Sequence, residues 1–545
     1  MGQLTWTLGD PDLDVLGRVG LGAMAGVILA AEEEGHSFGP LRAKVDPRTI
    51  TLAWDDDVTD QDALTPLVEY AWQTRNATAG GLGIFYFPAV HASSKDDFVA
   101  RLAEHSGVLS TFLQHPRVQP KTKPVTTEVR LDEERVVAVR FVEPTGGVAY
   151  VKGFASDLFK RKKLIDGEVL FSSYLRPGAT SRHAGEKSWQ GSVHEAIPLM
   201  FAPTACFYFR VHGSDWVVVA PDVRDLELFA MLRQDLRFDP RASEVASASD
   251  AGLRVLTALR ARALNVLRQE GATSGTCVVL RVGGVAWNTK QRVRNRALVL
   301  RPDEVSLRAF ERLDAHLANA VVPRKDGSGV FVKVPSPRAL LAENLVDRAY
   351  WYRGLFDVPR EQREDVEKNR KQGESAQRVW FRWIRRYRKE LSELMADLEQ
   401  LGVDGATGID VIFRATFHET LRRLYGREVD QAKRGSRDVR ERLADRTEKI
   451  RRDLTKAQTS HHVRGVLAEL FAEAGRTSSL QQHADAIWRF IDHPEEWRRA
   501  RDLALFSLAT YASTRTSEAD EIEADDDMDD MDAAHDDAKN DEGVE

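Results

Sequence analysis

The chain has 545 residues and a formal net charge of −7, with 42% hydrophobic and 30% charged residues. This composition is that of a globular protein, and the length predicts about two to four domains. Only two cysteines are present, Cys206 and Cys277, so a disulfide framework and a cysteine-rich zinc site are excluded and a reducing, cytoplasmic location is expected.

The negative charge is concentrated at one end of the chain. Residues 517–545 contain fifteen Asp or Glu residues and one Lys, so they carry −14 and residues 1–516 carry +7. A block of like charges cannot bury enough apolar area to fold, and the segment is predicted to be a disordered acidic tail. Such a tail could compete with phosphate for the cations of the basic body, or it could simply keep the protein soluble.

No association with a membrane is predicted. Asp10, Asp12 and Asp14 precede the first apolar stretch, which is the wrong charge for the start of a signal peptide. The longest uncharged run covers residues 19–31 and is shorter than the roughly 20 residues that span a bilayer. The run is therefore predicted to be a buried helix.

The first 335 residues alternate between strand-like and helix-like patterns. Residues 49–54 place apolar side chains on one face with a period of two, which predicts a strand. Residues 206–210 and 216–220 flank a His-Gly-Ser-Asp turn and predict a hairpin. About seven strands are predicted in all, the last two at residues 276–282 and 330–334.

Helices are interspersed with these strands. Thr59, Ser94 and Asp222 are placed as N-caps of amphipathic segments, and two further helices are predicted over residues 249–270 and 306–320. The region is therefore predicted to be a mixed α/β domain over residues 1–335.

The pattern changes after the Pro-Ser-Pro sequence at residues 335–337. From there to residue 513 apolar residues recur at helical spacing and no strand pattern is found, which predicts a helical bundle over residues 336–516. Residues 427–456 have few large apolar groups, and alternating Arg and Glu residues there indicate a solvated helix or a charged connector. The fold class is thus α+β: a mixed α/β domain, an all-α bundle and an acidic tail.

Motifs for catalysis and cofactor binding are missing or lack the context they need. Gly20, Gly22 and Gly26 echo a dinucleotide fingerprint, but no strand precedes them, so close packing of a helix is the favoured interpretation. His194-Glu195 lacks the second histidine of a zinc protease. No enzyme activity, metal or cofactor is predicted.

Basic residues interleaved with aromatics and amides are the features that indicate a function. The first group is Lys160, Arg161, Lys162 and Lys163, four adjacent cations that water or phosphate can screen. The alternative is a solvated loop.

The second group lies in the aperiodic stretch from Arg176 to Ser192. It includes Arg182, Lys187, Trp189 and Gln190, and a tryptophan there could stack on a base or open a duplex. The alternative is a tryptophan that fixes the loop on its own core.

The third group follows a predicted strand and contains Asn288, Lys290, Arg292 and Arg294. Arg and Lys pair with guanine edges and Asn with adenine edges, so this inventory can read bases as well as bind phosphate. The alternative is a polar edge strand. In the bundle, Arg382, Arg385 and Arg386 are predicted to line a basic helix face, for which a solvated face is the alternative.

The order of several short motifs resembles one known family, the large subunits of type I CRISPR surveillance complexes of the MYXAN subtype, which include fruiting-body developmental regulators. The resemblance covers mainly residues 1–345. Its motifs are residues 10–13 running into 16–21, residues 182–184, Trp189, residues 195–197 and residues 201–206.

The resemblance implies a noncatalytic subunit of a crRNA-guided, Cascade-like complex. Its α/β part would read the short motif that flanks the target (the PAM), and its bundle would hold the displaced strand of the R-loop in double-stranded DNA. The implied partners are crRNA, target DNA, the backbone, 5′-end and small subunits, and a helicase-nuclease or transposition adaptor. No family motif assigns the flank-reading residues, so the second and third basic groups are nominated from their chemistry.

Two other functions stay open from the sequence. One is a metal-independent RNA endonuclease that uses His183 or His194 with Lys187. The other is a stand-alone regulatory protein whose bundle and tail bind protein partners.

Overall fold

In a computed structural model the contacts divide the chain into two compact units. The first takes residues 1–303, 319–323 and 329–334, and the second takes residues 304–318, 324–328 and 335–545. The structure describes the following residues: 2–76, 83–90, 98–113, 125–130, 136–141, 157–171, 189–211, 215–234, 236, 238, 243–267, 275–282, 296–323, 330–371, 373–406, 408–434 and 438–511.

The described part of the first unit mixes short strands with six helices. The strands are β1 Gly2–Thr7, β2 Arg42–Asp46, β3 Thr49–Trp54, β4 Gln73–Asn76, β5 Gly83–Tyr86, β6 Val125–Arg130, β7 Val136–Phe141, β8 Phe159–Lys160, β9 Lys163–Leu164, β10 Glu168–Phe171, β11 Trp189–Ser192, β12 Phe207–Val211, β13 Trp216–Pro221, β14 Glu244–Val245, β15 Cys277–Val282, β16 Arg296–Leu300, β17 Ala320–Pro323 and β18 Val330–Lys333. The helices are α1 Val15–Glu33, α2 Asp60–Ala71, α3 Phe98–Thr111, α4 Val193–Ala205, α5 Leu226–Arg233 and α6 Ala248–Leu267.

Two sheets organise this unit. One has three antiparallel strands in the order β1-β3-β2, and the other has five strands in the order β14-β12-β13-β15-β16, in which only β14 and β12 run parallel. The remaining described strands form two-stranded pairs. Ile50, Leu52 and Trp54 of β3 point into the core, as their period of two predicts.

Helix α1 is the centre of the first unit, and its glycines allow other elements to approach it closely. A Cβ atom added to Gly20 would lie 1.9 Å from the carbonyl oxygen of Pro198 in α4. One added to Gly22 would lie 2.4 Å from the ring of Phe229 in α5. The glycine pattern is therefore a packing motif, as the sequence favoured, and larger side chains would separate these helices.

Helix α1 is also the one helix among the described residues whose length and composition would let it cross a membrane, and 78% of its apolar window is buried inside the fold.

The described part of the second unit is helical. Its helices are α7 Glu304–His316, α8 Arg338–Asp347, α9 Arg363–Lys368, α10 Ala376–Arg385, α11 Arg388–Gln400, α12 Ile409–Arg434, α13 Val439–Lys456, α14 Ser460–Ala474, α15 Ser478–Asp492 and α16 Trp497–Thr510.

Helix α7 precedes residue 335 but packs with the helical unit. Arg338 of α8 donates to the carbonyl of Leu317 at 2.8 Å and pairs with Asp314 of α7 at 2.5 Å. His316 contacts the Asp397 carboxylate of α11 at 3.0 Å. The second unit therefore takes in residues from both sides of the Pro-Ser-Pro sequence.

A buried polar cluster joins three parts of the helical unit. Asp410 of α12 is fully buried and accepts a hydrogen bond from Tyr352 at 2.9 Å. Arg499 of α16 binds both oxygens of the same carboxylate, at 2.9 and 2.6 Å. The bidentate geometry satisfies a charge that would otherwise be costly to bury.

The predicted fold class is confirmed: the N-terminal region mixes helices and strands, and the described C-terminal region is a run of helices. The hairpin of β12 and β13, the buried helix α1 and the N-cap at Thr59 were also predicted correctly. The described residues within 427–456 include the end of α12 and the whole of α13, with Leu443, Ile450 and Leu454 buried. Ser94 and the acidic tail lie outside the described residues.

Two details of the prediction were wrong. The described residues contain eighteen strands rather than about seven, because many are only two to four residues long. The N-cap of α5 is Asp225, which accepts from the Leu228 backbone N–H at 2.8 Å, and not Asp222. Asp222 instead pairs with Arg18 of α1 at 2.7 Å.

Replacing Arg499 by Met should destabilise the protein strongly. It leaves the Asp410 carboxylate buried without its ion-pair partner, a loss of about 3–5 kcal/mol. Urea unfolding at neutral pH measures this change. Arg498→Met is the matched control, because Arg498 is the adjacent residue and its side chain is exposed. This change should alter the free energy of unfolding by about 0.5 kcal/mol or less. Equal losses in both variants would contradict the assigned role of the cluster.

The Glu419 side chain should make stability depend on pH in the acid range. Partial burial raises the pKa of Glu419, but hydrogen bonds from the backbone and hydroxyl groups of Ser479 and Ser478 at the start of α15 lower it to about 2. Since this pKa lies below the ordinary value of 4.5, the stabilisation is present above pH 4.5 and is lost as the pH falls toward 2.

Glu419→Gln should therefore be less stable at pH 7, by about 1 kcal/mol, and should lose less stability than the unmodified chain between pH 4.5 and pH 3. Urea unfolding at several pH values tests this. Glu469→Gln, on an exposed position of α14, is the control. Parallel pH profiles for Glu419→Gln and the unmodified chain would contradict a stabilising role of the hydrogen bonds to Glu419.

Candidate nucleic-acid interface

The first basic group forms the tip of a small hairpin. Strands β8 and β9 pair in register, with Phe159 opposite Leu164 and Lys160 opposite Lys163. The two turn residues, Arg161 and Lys162, have φ values of 53° and 65°. A two-residue hairpin turn with positive φ at both central positions is of type I′, which favours Asn and Gly. Other residues pay roughly 1–2 kcal/mol each there.

This turn is held in place by the start of helix α2. The Asp60 carboxylate accepts from the Leu164 backbone N–H at 2.8 Å and from the Trp54 indole at 3.1 Å. The Gln61 N–H donates to the Lys162 carbonyl at 3.2 Å. These bonds to the backbone fix the hairpin, so the strained turn does not depend on the identity of its own side chains.

An ion pair adds a further contact. The Lys162 ammonium lies 3.2 Å from the Asp62 carboxylate, and hydrogen bonds from Thr59 and Lys162 lower the pKa of Asp62. Thr59 is also the N-cap of α2. One of the four cations is thus partly neutralised by the anchor.

The other three cations face solvent. Leu158 and Phe159 at the base are buried in the core, whereas Lys160, Arg161 and Lys163 are exposed. Within the part of the chain that the structure describes, none of these three forms an ion pair. The hairpin therefore presents positive charge on a rigid support, an arrangement suited to phosphate.

The second basic group ends in a strand. Trp189 and Gln190 belong to β11, where they pair with Phe171 and Leu170 of β10. Ser192 then caps α4, and it exchanges hydrogen bonds with Glu195 in a capping box. Arg182, His183 and Lys187 lie outside the described residues, so only the end of this group is placed.

The third basic group also lies outside the described residues: Asn288, Lys290, Arg292 and Arg294 are all in this segment. The structure describes the two strands that flank this segment in the sequence. The segment connects β15 to β16, which are antiparallel neighbours with Arg281 opposite Arg296. In the sequence the group therefore lies between two adjacent strands of the five-stranded sheet.

The bundle arginines are half-buried. Arg382, Arg385 and Arg386 lie at or after the end of α10, whose Trp380 and Trp383 are buried. The Arg382 guanidinium pairs with the Glu374 carboxylate at 3.1 Å. Its charge is thus partly compensated within the bundle, while a nucleic-acid role for the three arginines stays a prediction.

The residues of the endonuclease alternative are only partly placed. The Nε2 atom of His194 donates to the Thr5 carbonyl at 2.8 Å, and Trp6 donates to the His194 carbonyl. His194 therefore connects α4 to β1.

Among the described residues no cluster of three or more metal-binding side chains occurs. Cys206 and Cys277 are both buried, and burial raises the pKa of Cys206 to about 12.

Two features of the hairpin were missed by the sequence analysis. The turn contains neither Gly nor Asn, so its residues gave no signal for positive φ. The anchors Asp60 and Asp62 are about a hundred residues earlier in the chain. In the sequence they stand out only as acidic residues in the first turn of a predicted helix. Acidic residues are common there because the helix dipole favours negative charge at the N-terminus.

Two family models match the chain. The DevT N-terminal domain matches residues 5–200, and the DevT C-terminal domain matches residues 409–541. A curated relative from Myxococcus xanthus (strain DK1622), CRISPR-associated protein Cas8a1/Csx13, is 26% identical over 506 residues, which are 89% of this chain and 83% of the relative. The chain is therefore similar to both DevT domains and to a CRISPR large-subunit relative, and the family resemblance inferred from its sequence is confirmed.

Proposed function

We propose that the chain is the noncatalytic large subunit of a crRNA-guided type I CRISPR complex. The observation that carries this is the similarity to Cas8a1/Csx13 across 89% of the chain. The length of the match favours a shared role for both units, since it is not confined to one of them.

In this function the chain recognises the target-flanking motif and stabilises the R-loop. Base pairing with the guide reads the target sequence, whereas protein has to bind the flanking duplex and hold the separated strands. The basic hairpin suits the first task. A two-stranded ribbon fits the major groove, and Lys and Arg can contact both phosphates and guanine edges.

We assign the phosphate contacts beside the flanking motif to Lys160, Arg161 and Lys163. The anchored turn keeps these cations in a fixed position before DNA arrives, so less conformational freedom is lost on binding. The second and third basic groups are the candidates for reading the motif itself. The partners proposed are crRNA, target DNA, the other Cascade subunits, and a helicase-nuclease or transposition adaptor.

Purification of the tagged chain from cells that express its CRISPR locus should recover several other subunits and a bound RNA of crRNA length. Mass spectrometry identifies the proteins, and RNA sequencing identifies repeat-derived ends. Recovery of the chain alone would contradict the proposal and favour a stand-alone regulator. Cleavage of repeat RNA by the isolated chain, lost on His194→Ala, would instead favour the endonuclease.

Removing the exposed charges of the hairpin should weaken the binding of the complex to duplex DNA. The variant Lys160→Ala, Arg161→Gly, Lys163→Ala keeps the anchor residue Lys162, and glycine suits the positive φ at position 161. Each lost phosphate contact should reduce the slope of log K against log salt by about 0.9. Filter binding at several salt concentrations measures the slope.

The matched control is Arg42→Ala, Lys44→Ala, Arg48→Ala, which removes three exposed cations from around β2. Both triple variants change the net charge equally, so a general charge effect would lower their affinities equally. A specific hairpin contact predicts a larger loss and a flatter slope only for the hairpin variant. Equal slopes in all three proteins would show that the hairpin does not bind phosphate.

A further inference from the structure

The described part of the chain ends at a group of positive side chains. Tyr511 follows α16 and packs edge-on against His418 and Tyr425 of α12, with ring centroids 5.5 and 5.4 Å away. Burial raises the pKa of Tyr511, and the positive charge of Arg422 on the same helix lies close enough to its hydroxyl to oppose this effect. The position from which the next residues leave the helical unit is therefore fixed beside α12.

Two arginines share the face of α12 that receives Tyr511. Arg414, His418 and Arg422 are four residues apart and lie one above the other on the helix. Arg422 is exposed and Arg414 is half-buried. We call these two arginines the α12 arginine face.

The positive charge of this face is incompletely balanced. The Nη1 atom of Arg414 is buried and has no hydrogen-bond partner among the described residues. Burial lowers the pKa of Arg414, and Glu399 is the acidic group that opposes this effect. Burial and the two arginines together lower the pKa of His418 to about 4. Arg422 is exposed and forms no ion pair among the described residues, so a carboxylate placed here could pair with it.

The anionic segment of the chain begins close by in sequence. Six residues, 512–517, separate Tyr511 from Glu518, the first of the fifteen acidic residues. Seven steps of extended chain reach about 24 Å, so the acidic segment can return to α12. A short connection of this kind gives an effective concentration of about millimolar. The DevT C-terminal domain match, residues 409–541, also runs from the start of α12 into this segment.

We propose that the acidic segment, residues 517–545, binds the α12 arginine face of its own chain and excludes nonspecific nucleic acid from it. Carboxylates of the segment occupy the positions that backbone phosphates would otherwise take. Because the contact is electrostatic and solvent-exposed on one side, it weakens at high salt. The proposed contact between the acidic segment and the α12 arginine face does not depend on whether the chain is a CRISPR subunit.

The direct test compares the full chain with a variant in which all fifteen acidic residues from 518 to 545 are replaced by Asn or Gln. Arginines are modified with phenylglyoxal, and the rate at each position is followed by mass spectrometry. In the neutralised variant Arg422 should react several times faster than in the unmodified chain. Arg434, exposed on the same helix and about 18 Å further along it, should react at the same rate in both. In 1 M salt the two proteins should become alike at Arg422.

A second measurement tests the consequence. The neutralised variant should bind random-sequence DNA about tenfold more tightly than the unmodified chain, and Arg422→Gln should remove most of that gain while Arg434→Gln should not. Equal modification rates at Arg422 in both proteins would overturn the proposal. The proposal would also be overturned if Arg422→Gln reduced DNA binding by the same factor in the unmodified chain and in the neutralised variant. The α12 arginine face would then be a nucleic-acid site that the acidic segment does not cover.

Discussion

The close approach of α1 to α4 is the constraint on which the first unit depends. At Gly20 the backbone of one helix meets the Pro198 carbonyl of the other with no room for a Cβ atom. Helix α1 also contacts α2 and α5. Since α2 carries the aspartates that hold the basic hairpin, and β11 leads directly into α4, the packing around α1 sets the positions of the hairpin and of β11, which holds the described end of the second basic group.

Local patterns in the sequence were enough to predict several individual elements. The strand of residues 49–54 has the alternation that a half-buried strand requires. The β12–β13 hairpin has two short apolar runs on either side of turn residues, and α1 has an uninterrupted apolar run. The grouping of α7 with the helical unit could not be predicted in this way. It rests on contacts of Arg338 and His316 with residues far along the chain, and such contacts leave no local pattern.

The sequence predicted which residue types form the candidate site, but it did not predict how they are oriented. Four adjacent cations indicated phosphate binding, and the structure places them on one hairpin. Their fixed orientation comes from a carboxylate and an N–H group at the start of α2 together with two strained backbone positions. Neither a long-range anchor nor a positive φ at Arg161 can be read from residue types alone, because side-chain propensities describe only the local preference of a residue.

The division of the chain into units has a consequence for synthesis. Helix α7 emerges from the ribosome soon after the strands of the first unit, yet its contacts are made with α8 and with α11, which ends at Gln400. At elongation rates of about 5–20 residues per second, roughly 4–17 s pass between the synthesis of α7 and that of the end of α11. During that time β17 and β18, which complete the first unit, follow it out. The apolar face of α7 therefore stays without its partner helices while the last strands of the first unit are synthesised.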